Sequence, residues 1–212
     1  MNSDPLSDDS LLTLRDASNQ LSARAGEIIL LCGDVGTGKT VWLKRLAGLT
    51  AMPANCSASI AGKQPGKELG KTLMLFDRQP PLWLGQNVAE ELSFGLKKQP
   101  ATGELTAALA AWGLSAVSLT AELSRLNRLQ AVRLSLAAIS LAEAELIILD
   151  NPTDTLPEAD ALTLRDDIVT WAERTKTTVV VACNRWHDWR PVASQRWQIT
   201  STEALPQQGE QA

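Results

Sequence analysis

Gly33-Asp34-Val35-Gly36-Thr37-Gly38-Lys39-Thr40, residues 33–40, satisfies the phosphate-loop pattern G-x-x-x-x-G-K-[ST] at every fixed position. On its N-terminal side stands Glu27-Ile28-Ile29-Leu30-Leu31-Cys32, a short apolar run of the kind that forms a buried parallel strand. On its C-terminal side Val41, Trp42, Leu43, Leu46 and Ala47 recur at helical spacing. A loop between strand and helix is the context its chemistry requires. Glycines let successive backbone N–H groups face one centre, and the helix N-terminus adds its positive end. Lys39 is placed to reach the outer phosphates of a nucleotide, and Thr40 to hold Mg²⁺. Residues 33–41 are therefore the expected phosphate-binding segment, since Lys-Thr after three spaced glycines has no structural purpose of its own.

The remaining composition narrows the class. A chain of 212 residues with 44% hydrophobic content fits one large domain, or a core with an inserted subdomain. The formal charge of −4, with no block of like charges, gives no basic face for nucleic acid. No apolar run approaches the ~18 residues of a membrane span, and the first ten residues are acidic and polar, so neither membrane insertion nor a signal peptide is expected. Cys32, Cys56 and Cys183 show no C-x-x-C spacing and fit reduced thiols of the cytoplasm. His187 is the single histidine, which leaves little material for a histidine-based metal site or triad.

Along the chain, residues 11–31 read as two strand-like segments around Gly26, and short strands are expected at Ser57–Ile60 and 72–76. Residues 86–142 are rich in Ala and Leu at helical spacing and form a candidate helical subdomain. Leu146–Asp150 is a second buried strand, followed by a helix over Glu158–Thr175, a strand over 178–183 and a last strand over 196–200. Strands alternating with helices imply a mostly parallel α/β sheet. Residues 1–10 and 204–212 are polar and are expected to be disordered, leaving 11–203 as a single domain. Asp150, at the C-terminal end of an apolar strand, points into the ligand crevice of such a sheet and is the expected Mg²⁺ partner of Thr40.

With Lys39 and Asp150 placed, the chain resembles the ATP-binding cassette (ABC) ATPases, the nucleotide-binding subunits of ABC transporters, over about residues 10–200. Ala25-Gly26-Glu27-Ile28 before the loop, Leu46-Ala47-Gly48-Leu49 after its helix, the segment from Asn87 to Leu96, and Asp150-Asn151-Pro152-Thr153-Asp154-Thr155-Leu156 carry the resemblance. It implies a P-loop core with a mostly parallel sheet, an antiparallel β subdomain and an inserted helical subdomain. It also implies ATP and Mg²⁺ as ligands, a second ATPase subunit as partner, and a cytoplasmic location, peripheral to the membrane where a transmembrane permease is present.

The same resemblance marks departures. Asn151 stands where the family has its general-base Glu, and an amide cannot take a proton from water at neutral pH. Asn184 stands at the switch-histidine position, with His187 three residues later, and Asp77 at the Q-loop position, with Gln79 nearby. The family signature L-S-G-G-Q aligns either with Leu126-Asn127-Arg128-Leu129-Gln130 or with Leu123-Ser124-Arg125-Leu126-Asn127, and neither has the glycine pair. Arg128 or Arg125 is then a candidate phosphate contact. No aromatic residue precedes Trp42 to stack on adenine, which weakens base selectivity; Trp83 is a candidate partner contact. The expected function is an ATP-binding subunit with weak or absent hydrolysis of its own. Two other readings stay open: an ATPase using a rearranged set drawn from His187, Gln79 and Asp77, and a scaffold that does not bind nucleotide.

Overall fold

The protein is described here from a computed structural model covering residues 10–77 and 81–209. Strands β1 (Ser10–Arg15) and β2 (Gln20–Arg24) form an antiparallel hairpin. Its turn is held by the Asp16 carboxylate, which accepts from Ser18 N and Asn19 N at 2.7 Å each. After β3 (Ile28–Cys32) and α1 (Lys39–Leu46), β4 (Ser57–Ile60) pairs antiparallel with β1 and completes a three-stranded sheet in the order β2-β1-β4.

The second sheet has six strands in the order β5-β6-β7-β3-β8-β9. These are β5 (Thr72–Leu75), β6 (Leu146–Asp150), β7 (Thr178–Ala182), β3, β8 (Gln195–Gln198) and the two-residue β9 (Gln207–Gln208). All neighbours run parallel except β8 and β9. Strands β3, β6 and β7 are buried at every position, as apolar runs without alternation require. Successive side chains leave a strand on opposite faces, which splits the interior into two clusters. Ile29, Leu31, Ile148, Val180 and Ala182 pack with Trp42 and Leu43 of α1 and with Leu12, Leu14 and Leu21 of the antiparallel sheet. Ile28, Leu30, Ile147, Leu149, Val179 and Val181 pack on the other side with Leu164, Ile168 and Trp171 of α5 (Glu158–Thr175) and with the helical segment.

That segment lies between β5 and β6 in sequence and contains α2 (Val88–Ser93), α3 (Thr102–Ala111) and α4 (Arg128–Leu141). Asn87 caps α2 by accepting from Glu90 N at 3.0 Å. Arg133 ties α4 to its surroundings: Nη1 donates to the Trp112 carbonyl at 2.7 Å and Nη2 pairs with Asp167 of α5 at 2.6 Å. Trp112 and Trp171 meet at a centroid distance of 5.7 Å and 50°, a tilted aromatic pair.

Three expectations are corrected. Residues 11–31 carry three strands rather than two, because the hairpin turn at Asp16–Asn19 is polar but closed by its own side chain. Ser10, expected in a disordered N-terminus, opens β1 and pairs with Arg24; residues 1–9 lie outside those described. Residues 204–209, expected as a disordered tail, fold back on the sheet. Leu205 is 4% exposed in the cluster around α1, and Gln207–Gln208 pair with Trp197 and Gln198. One apolar anchor and a free sheet edge outweigh the polar composition there; residues 210–212 lie outside those described.

Candidate functional site

The loop, the end of β6 and the end of β5 meet at the C-terminal edge of the parallel sheet, the edge at which open α/β sheets bind ligands. Gly38, immediately before α1, has φ 99, a conformation suited to glycine, and a Cβ there would lie 2.3 Å from Thr202 Cγ2. The loop can therefore turn into the helix only with no side chain at this point. Lys39 folds across the loop: its ammonium donates to the carbonyls of Gly33 at 2.8 Å and Asp34 at 3.2 Å. Asp34, Val35 and Gly36 form the exposed crest of the loop, with Val35 90% exposed, while Thr37, in the descending arm, donates through N and Oγ1 to the Asp34 carbonyl at 3.2 and 2.8 Å. Val41, on the first turn of α1, is 37% exposed and points away from the core that takes Trp42 and Leu43.

The two expected metal-binding residues are in contact. Thr40 Oγ1 donates to both oxygens of Asp150, at 2.9 and 3.2 Å. Asp150 is 4% exposed, and burial pushes its carboxyl pKa up, aided by the charges of Asp77 and Asp154 and opposed by the Thr40 hydroxyl and Lys44. A buried carboxylate whose one hydrogen-bond donor among the described residues is a hydroxyl is under-compensated as an anion. Its oxygens and that of Thr40 form a compact set of hard donors, which suits Mg²⁺ with water and phosphate completing the shell.

Asn151 has φ 48, in the left-handed region that Asn tolerates better than a longer side chain. Its Nδ2 donates to Asp77 Oδ2 at 2.8 Å, and its Oδ1 is buried without a partner among the described residues. Reversing the amide would set oxygen against carboxylate, so Asp77 dictates the orientation even though an orphaned acceptor costs about 1–3 kcal/mol. Asn184, after β7, faces Asp154, whose carboxylate accepts from Asn184 N at 2.8 Å and Arg185 N at 3.3 Å. His187 stacks on Trp186 at a centroid distance of 3.6 Å within the short helix α6 (Trp186–Trp189). Gln79 lies outside the described residues.

Of the two signature alignments, the structure favours the first for the helix start. Asn127 caps α4, accepting from Gln130 N at 2.9 Å while Gln130 Oε1 accepts from Asn127 N at 3.0 Å, whereas residues 123–125 form a separate 3-10 turn. Arg128 is exposed on the first turn of α4, and Arg125, also exposed, pairs with Glu122 at 3.2 Å. Trp83 is half-buried between Leu82 and Leu84, which are 61% and 56% exposed. Sequence reasoning missed the segment around Thr202. It lies over the loop, takes the Trp42 indole N–H on the Ser201 carbonyl at 3.1 Å and receives Arg45 on the Thr202 carbonyl. Nothing in a polar run of Ser, Thr and Glu signals this.

A family model described as "ABC transporter" matches residues 17–154. Among curated relatives, a putative ABC transporter ATP-binding protein of Methanosarcina mazei is 33% identical over 145 residues, 64% of this chain and 29% of that protein. The energy-coupling factor transporter ATP-binding protein EcfA1 of Lactiplantibacillus plantarum is 32% identical over 156 residues, 68% of this chain and 54% of that protein. The chain thus matches under two thirds of the length of either relative. The solved structure of cbiO1 from Clostridium perfringens, part of the ABC transporter complex cbiONQ, superposes with a TM-score of 0.79 at 16% identity, covering 95% of this chain and 88% of that one. A nucleotide-free ATP-binding cassette from an ABC transporter gives a TM-score of 0.77 at 13% identity, covering 96% and 92%.

Proposed function

The chain belongs to the ABC transporter family, and from that premise we propose that it is an ATP-binding subunit of an ABC-type assembly, holding Mg-ATP with weak or absent hydrolysis of its own. The observation that carries this reading is the contact of Thr40 with Asp150, at 2.9 and 3.2 Å, beside a loop whose lysine is already folded over it. In this reading the N–H groups of the loop and Lys39 would take the β- and γ-phosphates, and Thr40 and Asp150 would hold Mg²⁺. When bound, Mg²⁺ would supply charge neutralisation at the phosphates, and the protein supplies position. Asn151 cannot act as a base, and loss of a general base lowers rate by about 10²–10⁴ without removing binding.

The partners in this reading are a second ATPase subunit and a transmembrane permease; the relatives' names, as ATP-binding proteins of transporters, and the description of cbiO1 as part of a transporter complex support an assembly with other subunits. Among the described residues no helix is long and apolar enough to cross a membrane, so attachment in this reading runs through the permease at the cytoplasmic face. The test is thermal melting of the purified chain with and without Mg-ATP, beside ATPase assays on the chain and on the assembly co-purified from its native cell. A melting shift that needs both Mg²⁺ and Lys39 supports the reading. No shift in the parent chain, or one that survives Lys39→Ala, counts against it. A steady-state rate of the isolated chain equal to that of the assembly would remove the claim of weak hydrolysis.

A further inference from the structure

Asp77 stands in a position that the proposed binding of Mg-ATP leaves unexplained. Strands β5 and β6 are parallel and in register, with Leu75 opposite Leu149, so Asp77 and Asn151 leave the two strands at the same height. Both follow the edge at which Thr40 meets Asp150. The 2.8 Å hydrogen bond from Asn151 Nδ2 occupies one Asp77 oxygen, and the other accepts nothing from the described residues, on a side chain that is exposed.

Among the other groups able to accept a proton near this edge, Asp34 sits on the exposed crest of the loop and no hydrogen bond from the described residues fixes its carboxylate, while three further carboxylates are engaged. Asp150 takes the Thr40 hydroxyl on both oxygens and is almost fully enclosed. Asp154 accepts Asn184 N on one oxygen and Arg185 N on the other. Asp188 is paired with Arg185 at 2.9 Å. His187, exposed in α6 and stacked on Trp186 at 3.6 Å, keeps its ring nitrogens free, but no hydrogen bond among the described residues aims them at this edge. Asp77 alone among the described carboxylates at the strand ends is fixed by one oxygen and open at the other. It is also close enough to Asp150 for its charge to be felt there.

We propose that Asp77 is the catalytic carboxylate of whatever hydrolysis this chain performs, with Asn151 as the residue that positions it. The proposal rests on the reading of the site as one for Mg-ATP. An amide at the end of β6 and a carboxylate at the end of β5 are then one functional pair, with the acid on β5. In the step assigned to it, the oxygen of a water molecule bonds to the γ-phosphorus while the bond from that phosphorus to the β–γ bridging oxygen breaks. The bonding pair leaves with ADP. The proton lost by the water passes to the open oxygen of Asp77, which then returns it to solvent. Asn151 fixes the carboxylate and, being neutral, adds no second negative charge beside the phosphates.

The experiment is single-turnover Mg-ATP hydrolysis by the full chain, in its native assembly where one is recovered, paired with equilibrium binding of a non-hydrolysable ATP analogue in Mg²⁺. Within an assembly, the partner subunit carries an inactivating substitution of its own phosphate-loop lysine, so that turnover reports this chain's loop. Asp77→Asn is expected to lower hydrolysis to the background set by Lys39→Ala while analogue affinity stays within about threefold. Asp77→Glu restores part of the rate. The exchange Asp77→Asn with Asn151→Asp, which returns the acid to β6, recovers at least tenfold over Asp77→Asn alone. Unchanged hydrolysis in Asp77→Asn overturns the proposal, as does an exchange variant that binds the analogue but recovers nothing. A parent chain that binds the analogue yet turns over no faster than Lys39→Ala also overturns it and leaves the Mg-ATP reading standing. Absence of analogue binding by the parent overturns that reading, and the proposal with it.

Discussion

Replacing Asp150 by Asn is expected to make the empty protein more stable and the ligand-responsive protein less so. The substitution keeps volume and leaves an oxygen to accept from Thr40, which now donates at 2.9 Å. It removes a negative charge from a side chain that is 4% exposed. Burial holds the Asp150 proton more tightly in the folded chain than in the unfolded one, where the ordinary value is 3.8. In the metal-free protein the folded state therefore binds more protons as pH rises from 3.8 through the raised folded value. Stability falls across that window, and the full penalty is in place above it. Asp150→Asn removes both the penalty and its pH dependence, so in EDTA at neutral pH the variant melts above the parent. With ligand the order reverses. Mg-ATP at about a hundred times its dissociation constant adds about 2.7 kcal/mol. For a domain of this size each kcal/mol moves the melting point by roughly 2–4 °C, giving the parent a shift of about 5–11 °C. Asn, a poor partner for Mg²⁺, loses most of that shift. The assay is a melting series in EDTA and in Mg-ATP at pH 5 to 8. A variant that melts below the parent in EDTA, or keeps the parent's Mg-ATP shift, would refute the view of Asp150 as a strained metal carboxylate.

The remaining predictions concern the frame around the site. Arg133→Met leaves the buried Trp112 carbonyl without its charged donor, about 1.5–3 kcal/mol, and loses a pair with Asp167 that is 38% exposed, about 0.2–1 kcal/mol, so denaturation should show a loss of about 2–4 kcal/mol. Asp167→Asn should cost under about 1 kcal/mol, and equal losses from the two variants would show that the ion pair dominates. Gly48 has φ 73, and a Cβ there would meet the Gly66 backbone at 2.4 Å, so Gly48→Ala should lose about 2–5 kcal/mol in urea unfolding. Leu205→Ala, in the segment that sequence reasoning took as disordered, should lose about 2–3 kcal/mol, whereas a solvated tail would lose nothing measurable. Thiol labelling should reach half-buried Cys56 first, while Cys32 and Cys183, with pKa values pushed up by burial, react at the rate of unfolding.

The parallel sheet was legible because its strands announce themselves. Ile28–Cys32 and Leu146–Asp150 are apolar throughout, and only a strand covered on both faces tolerates that over so short a run. The loop was legible because phosphate binding constrains glycines and a lysine at fixed spacing. The edges were less so. Gln207–Gln208 carry no strand signal, since pairing there depends on β8 offering an unfilled edge at Trp197 and Gln198 rather than on any property of glutamine. The relation of Asp77 to Asn151 was hidden for a related reason. Each residue reads in sequence as a separate departure, and only the register of two strands 74 residues apart shows that they form one hydrogen-bonded unit.

Lys39, resting on the carbonyls of Gly33 and Asp34, has a consequence for the kinetics of ligand capture. The ammonium acts as an internal hydrogen-bond donor that ties the end of the curled loop to its start. The ordering entropy of the loop is then settled during folding rather than at encounter. Capture becomes an exchange of partners, two carbonyls for phosphate oxygens, at a surface already in its final form. Association is therefore governed by diffusion and by the local field, and ligand quality shows itself chiefly in residence time.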